Sequence, residues 1–202
     1  MKYLGERFSM QADKTNRPQG HQHRGRFTEG LLDNKAITKA LDIKPGQTIL
    51  DAGCGNGYMS KIFANAVSHS GKVYALDPDK YFINVLRHET RDSIIETVEG
   101  DITTPTGLNE ASLDILYLAT VIHGFSQQQI KGFIREAKRL LKTDGLLAIV
   151  EIEKRETPFG PPLKLRYSPE DLKKIIPMSP VRTTKAGEYF YIQIFKKIPE
   201  SH

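Results

Sequence analysis

A single cysteine, Cys54, is all the thiol chemistry this 202-residue chain contains. That excludes an internal disulfide and any metal site built from several cysteines. No apolar run approaches the roughly 20 residues that a membrane-spanning helix needs. The opening, MKYLGERFSM, does not read as a secretory signal, so a cytoplasmic location is expected. Internal repeats and low-complexity tracts are also missing. What remains is 39% hydrophobic and 26% charged, the composition of a globular protein, at a length that suits one domain with a sizeable core.

The formal net charge of +5 permits an anionic partner without demanding one. Its excess concentrates at the start, where Lys2, Arg7, Lys14, Arg17, Arg24 and Arg26 outnumber Glu6 and Asp13. This stretch is rich in Gln, Asn and Gly and has little apolar periodicity. Residues 1–29 are therefore expected to form a basic arm, with residues 30–197 as a single domain and 198–202 as a tail. His21 and His23 have no further ligands at matching spacing, and no metal is expected.

The informative stretch is Ile49–Gly57, ILDAGCGNG. Thr48, Ile49 and Leu50 favour a strand, which stops at Asp51. Glycines at 53, 55 and 57 permit positive φ and close approach of a ligand. A helix over Tyr58–Val67 follows, so the junction is expected to offer unpaired amides to a ligand. The dinucleotide fingerprint G-x-G-x-x-G would need its third glycine at position 58, where Tyr58 stands. The pattern here is D-x-G-x-G-x-G.

Further strands are predicted over Lys72–Leu76, Ile95–Val98, the nearly unbroken apolar run Leu113–Ala119, and the segment after the turn Thr143–Gly145. Each delivers polar residues at its carboxyl end. Asp77 follows the second, where a carboxylate either accepts from a ribose or starts a helix with Pro78 in its first turn. Gly100, Asp101 and Ile102 follow the third. Thr120 to Phe125 follow the fourth and include His123, whose imidazole is a proton acceptor, a helix cap or a ring packed beneath the ligand. Glu151 and Glu153 face either this side or solvent. Helices are expected with apolar faces at Leu31–Leu41, at Tyr81, Phe82, Val85 and Leu86, and from a Ser126–Gln129 capping box to Leu141. A proline-rich loop, with four of the 11 prolines between Pro158 and Pro169, precedes a helix capped by Ser168. Val181–Lys185 and Tyr189–Lys196 read as a terminal hairpin.

The glycine loop with its preceding strand resembles motif I of the class I S-adenosylmethionine-dependent methyltransferases, and the acids at successive strand ends extend the resemblance over about residues 30–197. The resemblance implies a three-layer α/β/α sandwich around a seven-stranded, mostly parallel Rossmann-like sheet with an antiparallel terminal strand. It implies S-adenosyl-L-methionine as cofactor. Gly53, Gly55 and Gly57 would pass under its methionine part, with Asp51 orienting it and Cys54 as a small filler. Asp77 and Pro78 would lie at the ribose, Asp101 and Ile102 at the adenine, and Thr120 beside the methyl group. The basic arm would be a lid or a free tail. The chain lacks the Asn/Asp-Pro-Pro-aromatic sequence of enzymes that methylate base amines, the metal-binding Asp of the catechol type, and the several thiols of arsenite methylators. A small-molecule acceptor is the expectation. The ordering of motifs is most similar to the ubiquinone/menaquinone C-methyltransferases, although no residue singles out a quinone. Two other readings use the same residues: an RNA-directed methyltransferase that employs the basic arm, and an NAD-dependent oxidoreductase.

Overall fold

The computed structural model describes residues 28–198, so the basic arm, with His21 and His23, lies almost wholly outside the described residues, as does most of the short tail. Seven strands form one sheet: β1 (Thr48–Ala52), β2 (Lys72–Asp77), β3 (Ile95–Glu99), β4 (Leu113–Ala119), β5 (Leu141–Ile152), β6 (Ser179–Lys185) and β7 (Phe190–Lys196). Their order is β3-β2-β1-β4-β5-β7-β6. Neighbours from β3 to β5 pair in parallel, and β7 inserts antiparallel to both β5 and β6.

Helices α1 (Asn34–Leu41), α2 (Tyr58–Val67) and α3 (Lys80–Glu89) pack on one face of the sheet, where Ile37, Phe63 and Leu86 join Ile49, Val73 and Tyr117. Helices α4 (Gln127–Leu140) and α5 (Pro169–Ile175) cover the other, where Phe133, Leu140 and Leu172 meet Leu50, Leu116 and Ile149. A strand covered on both faces needs apolar residues at every position, which is why β4 reads as an unbroken run. Strand order reverses between β1 and β4, and the glycine loop that leaves β1 stands at this switch point.

The capping boxes at Ser126–Gln129 and Ser168–Asp171 form as expected. Two helix faces differ from expectation. Asp33 accepts from the Ala36 amide at 2.9 Å and starts α1 at Asn34, which leaves Leu31 outside the helix and 39% exposed. In α3 the buried residues are Ile83 and Leu86, while Tyr81 and Val85 are exposed. Asp79 caps that helix by accepting from the Tyr81 amide, and the cap fixes a helical phase that apolar periodicity alone does not choose. The turn at Thr143–Gly145 is absorbed into the start of β5. There Asp144 takes φ +65°, a left-handed conformation that Asp tolerates better than most residues, and its carboxylate meets Lys196 at 2.9 Å.

Candidate active site

The carboxyl ends of β1, β2, β3 and β4 share one edge of the sheet because these strands are parallel and in register, and that edge collects every strand-terminal residue singled out in the sequence. The glycine loop is shaped by its neighbours. Gly57 sits at φ +74°, and a Cβ there would lie 2.6 Å from Leu86 Cδ2 on α3. At Gly53 a Cβ would lie 2.7 Å from Val121 Cγ2, so the loop after β4 packs directly on the loop after β1.

The expectation of unpaired amides at the junction is corrected in part: four loop amides are paired, and those of Asn56 and Met59 have no acceptor among the described residues. Gly53 and Cys54 both donate to the Leu76 carbonyl, Gly57 donates to that of Cys54, and Gly55 donates to Asp77 Oδ2 at 2.9 Å. Backbone groups this close to the core find partners inside the protein. The loop's glycines therefore serve close packing and shape more than anion capture.

The acids are placed as follows. Asp77, 9% exposed, ends β2 and accepts from the amides of Gly55 and Asp79. The helix after it is capped by Asp79, so helix capping does not account for Asp77; Pro78 stands exposed between them. Asp101, half-buried after β3, accepts from the Thr103 amide at 2.8 Å, and Ile102 beside it is buried. Asp51, 3% exposed, ends its strand under the loop and accepts from Ser60 Oγ at 2.6 Å. Thr120 terminates β4 at φ +55°, its amide donating to the Val150 carbonyl.

Burial pushes the Asp51 carboxyl up to about 7, against the Ser60 hydrogen bond and with help from the Asp77 charge. Asp77 is also raised, first by burial, in spite of the two amides it accepts from. Burial and the charges of Asp51 and Asp77 push the Cys54 thiol up strongly, which suits a small filler and not a nucleophile. Among the described residues, Asp51, Asp77 and Asp101 enter none of the ion pairs. The floor of the site thus holds buried acids whose ionised form has no cationic partner among the described residues.

A raised carboxyl makes a testable stability signature. The folded protein holds the Asp51 proton between pH 4 and 7 while the unfolded chain releases it, so stability falls as pH rises through that window and levels off above it. The Asp51→Asn variant removes that slope. Urea unfolding of the two proteins is expected to show their stability difference moving in favour of the variant by roughly 4 kcal/mol between pH 4 and pH 8. A constant difference across that range would contradict the raised carboxyl.

At the end of β4 a short 3-10 turn, Ile122–Gly124, carries His123. Its Nδ1 lies 3.0 Å from both carboxylate oxygens of Glu151 near the end of β5, and Glu151 is wholly buried. The helix-cap reading of His123 is set aside, since Ser126 caps α4. Sequence left Glu151 open between site and solvent. Its position in β5, flanked by β4 and β7, explains the burial, and only the pairing of strands reveals it.

A cavity of about 610 Å³ opens on the other face, between the segment at Leu31, Phe159 and the hairpin tip at Tyr189. Phe159 packs edge-on to Tyr189 with ring centres 5.4 Å apart, whereas Leu163 and Leu165 are each 44% exposed. Within the proline-rich loop Phe159 lines this cavity, whereas Leu163, Leu165 and Tyr167 do not.

The strand order, the glycine loop at the switch point and the acids at three successive strand ends define a nucleoside-cofactor protein of the Rossmann-like α/β type. A methyltransferase domain family model matches residues 50–149. The fold superposes on a crystal structure of a SAM-dependent methyltransferase from Aquifex aeolicus with a TM-score of 0.76 and 25% identity, covering 85% of this chain and 93% of that one. A ubiquinone/menaquinone biosynthesis C-methyltransferase of Paraburkholderia phymatum is 30% identical over 166 residues, which are 78% of this chain and 63% of the relative. A demethylmenaquinone methyltransferase of Staphylococcus saprophyticus is 27% identical over 137 residues, 65% of this chain and 56% of the relative. The chain spans less than two thirds of the length of these curated relatives. It belongs to the class I S-adenosylmethionine-dependent methyltransferases and is similar to the ubiquinone/menaquinone C-methyltransferases. No described helix is long and apolar enough to cross a membrane, and no described cluster of His, Cys, Asp or Glu is arranged to hold a metal ion.

Proposed function

We propose that this chain transfers a methyl group from S-adenosylmethionine to a small-molecule acceptor. The observation that carries this reading is the pair of buried acids under the glycine loop. Asp51 and Asp77 are both buried, both raised, and without a cationic partner. A pyrophosphate would disfavour the ionised form of these carboxyls further, whereas a ligand that brings its own positive charge, as a sulfonium with an ammonium group does, stabilises it. Four of the loop amides are already used internally, which leaves a pyrophosphate fewer donors to bind. An NAD-dependent reaction is disfavoured on both counts.

In this reading Asp77, beside Pro78, accepts from the ribose hydroxyls. Asp101 takes the exocyclic amine of adenine, and buried Ile102 packs on its ring. Asp51, ionised against the ligand's positive charge, lies beneath Gly53, Cys54, Gly55 and Gly57 and orients the methionine end. Thr120 lies beside the methyl group, and His123 takes up a proton from the acceptor. The cofactor, when bound, supplies a methyl group already activated by its sulfonium. The protein adds alignment, exclusion of water and, at His123, a base.

Titration calorimetry on the full chain tests the choice of ligand. S-adenosylmethionine should bind, and NAD should bind at least ~100-fold more weakly, a gap of about 2.7 kcal/mol. Equal affinities would defeat the proposal. Incubation of the protein with methyl-labelled cofactor and a small-molecule cell extract then identifies the labelled product.

A further inference from the structure

Resting on the methyl-transfer reading, we infer that Glu151 is a positioning residue. It holds His123 with Nδ1 protonated and Nε2 free, so that His123 acts on an acceptor whose nucleophilic oxygen still carries its proton.

Three observations lead there. Glu151 is wholly buried, and among the described residues its side chain hydrogen-bonds to His123 alone. A buried carboxylate with so few partners costs stability compared with an apolar residue of its size, because desolvation is only partly offset. The position is otherwise suited to an apolar side chain: Val150 and Ile152 on either side are buried in the sheet, and Ile149 and Tyr191 pack on the same face. A costly acid at such a place points to a function.

The second observation is the geometry. Both oxygens lie 3.0 Å from Nδ1, and a carboxylate offers only acceptors. Nδ1 therefore carries the proton, and Nε2 is the nitrogen with an open lone pair. The two oxygens confine the ring from one side, and the 3-10 turn that bears His123 confines it from the backbone.

Third comes the location. Val121, two residues before His123, is the side chain that abuts Gly53, so the histidine's turn is packed directly against the cofactor loop. His123 is itself partly exposed, its side chain at 19%, while its partner is at 0%. The open nitrogen belongs to the group that solvent and ligands can reach.

The proton step balances simply. The O–H bond of the acceptor breaks, its electron pair stays on oxygen, and the proton forms an N–H bond at Nε2. The resulting imidazolium is held against the Glu151 carboxylate. A thiolate would need no such help, so the arrangement points to a hydroxyl-bearing acceptor of the phenol or enol class.

The test uses the full chain and two readouts. Long-range ¹⁵N–¹H spectra of the imidazole, with S-adenosylhomocysteine present, are expected to show His123 protonated at Nδ1 and bare at Nε2. The Glu151→Gln variant is expected to lose that fixed tautomer. In parallel, methyl transfer from labelled S-adenosylmethionine into the small-molecule extract should fall ~100-fold or more in Glu151→Gln and His123→Ala. The cofactor dissociation constant should stay within about twofold, and Glu151→Asp should recover part of the rate. The labelled product should derive from a hydroxyl-bearing compound.

A bare Nδ1, a Glu151→Gln rate within about threefold of the parent, or a product methylated on sulfur would each overturn the inference. Those outcomes leave cofactor binding intact. Failure of the cofactor to bind the parent protein would instead strike the methyl-transfer reading itself.

Discussion

Gly132→Ala is expected to lose at least about 3 kcal/mol of stability, although alanine is the better helix former by about 1 kcal/mol. Gly132 lies inside α4, and a Cβ there would run into the backbone of Thr103, with the Thr103 carbonyl carbon itself only 3.1 Å away. A flexible side chain could turn aside, but this backbone is fixed. The Thr103 amide donates to Asp101, the Thr104 amide to the Asp101 carbonyl, and the Thr106 amide to Glu136 on α4. Overlap therefore outweighs propensity. For a chain of this size the loss corresponds to a melting temperature lower by about 6–12 °C. The segment forced to move carries Asp101 and Ile102, so affinity for S-adenosylmethionine should fall as well. Gly124→Ala is the control: nothing lies within 4 Å of its added Cβ, and its stability should stay within about 0.5 kcal/mol of the parent. Urea unfolding of the two variants checks the pair, and a neutral Gly132→Ala would mean that the α4 contact is looser than described.

The second large effect is expected at Arg166. Its guanidinium is buried in the loop after β5, at 6% exposure, with no carboxylate among its hydrogen-bond acceptors in the described residues. It donates instead to the carbonyls of Glu153, Arg155, Phe159 and Pro161 and to the Thr157 hydroxyl, at 2.7 to 3.2 Å. A loop crowded with prolines has few amides with which to satisfy its own carbonyls, and one planar fork of donors does it for them. Arg166→Met leaves those acceptors unpaired and should cost about 3 kcal/mol. Arg166→Lys keeps the charge without the fork and should fall between. Limited trypsin digestion gives an independent measure, with faster cutting after Arg155 or Lys164 in Arg166→Met. A variant as stable and as protease-resistant as the parent would show that the prolines hold the loop unaided. Because Phe159 is one of the residues tied down, the wall of the nearby cavity should loosen too.

Sequence carried more of this molecule than a single chain often does. Strand and helix boundaries around ILDAGCGNG were legible because the period changes from continuous apolar to helical across three glycines, and α2 spans the expected Tyr58–Val67. The acids at the strand ends were legible because each follows an apolar run in a parallel sheet. The phase of α3 was not, since Tyr81, Phe82, Ile83, Val85 and Leu86 offer apolar residues on more than one face and the Asp79 cap decides among them. The state of the glycine-loop amides was also hidden. Their acceptors, the Leu76 carbonyl and the Asp77 carboxylate, come from the neighbouring strand.

By itself, then, the sequence determined the layered α/β fold and the kind of cofactor, because both are written in local order: strand, glycine loop, helix, acid. Tertiary structure alone decided the electrostatics and the chemistry that the site can perform. Asp51 and Asp77 become one floor of buried acids only when β1 and β2 lie side by side, and His123 meets Glu151 across 28 residues only because β4 pairs with β5. Burial and pairing between distant segments set the state of an ionisable group, and neither is a property of its neighbours along the chain.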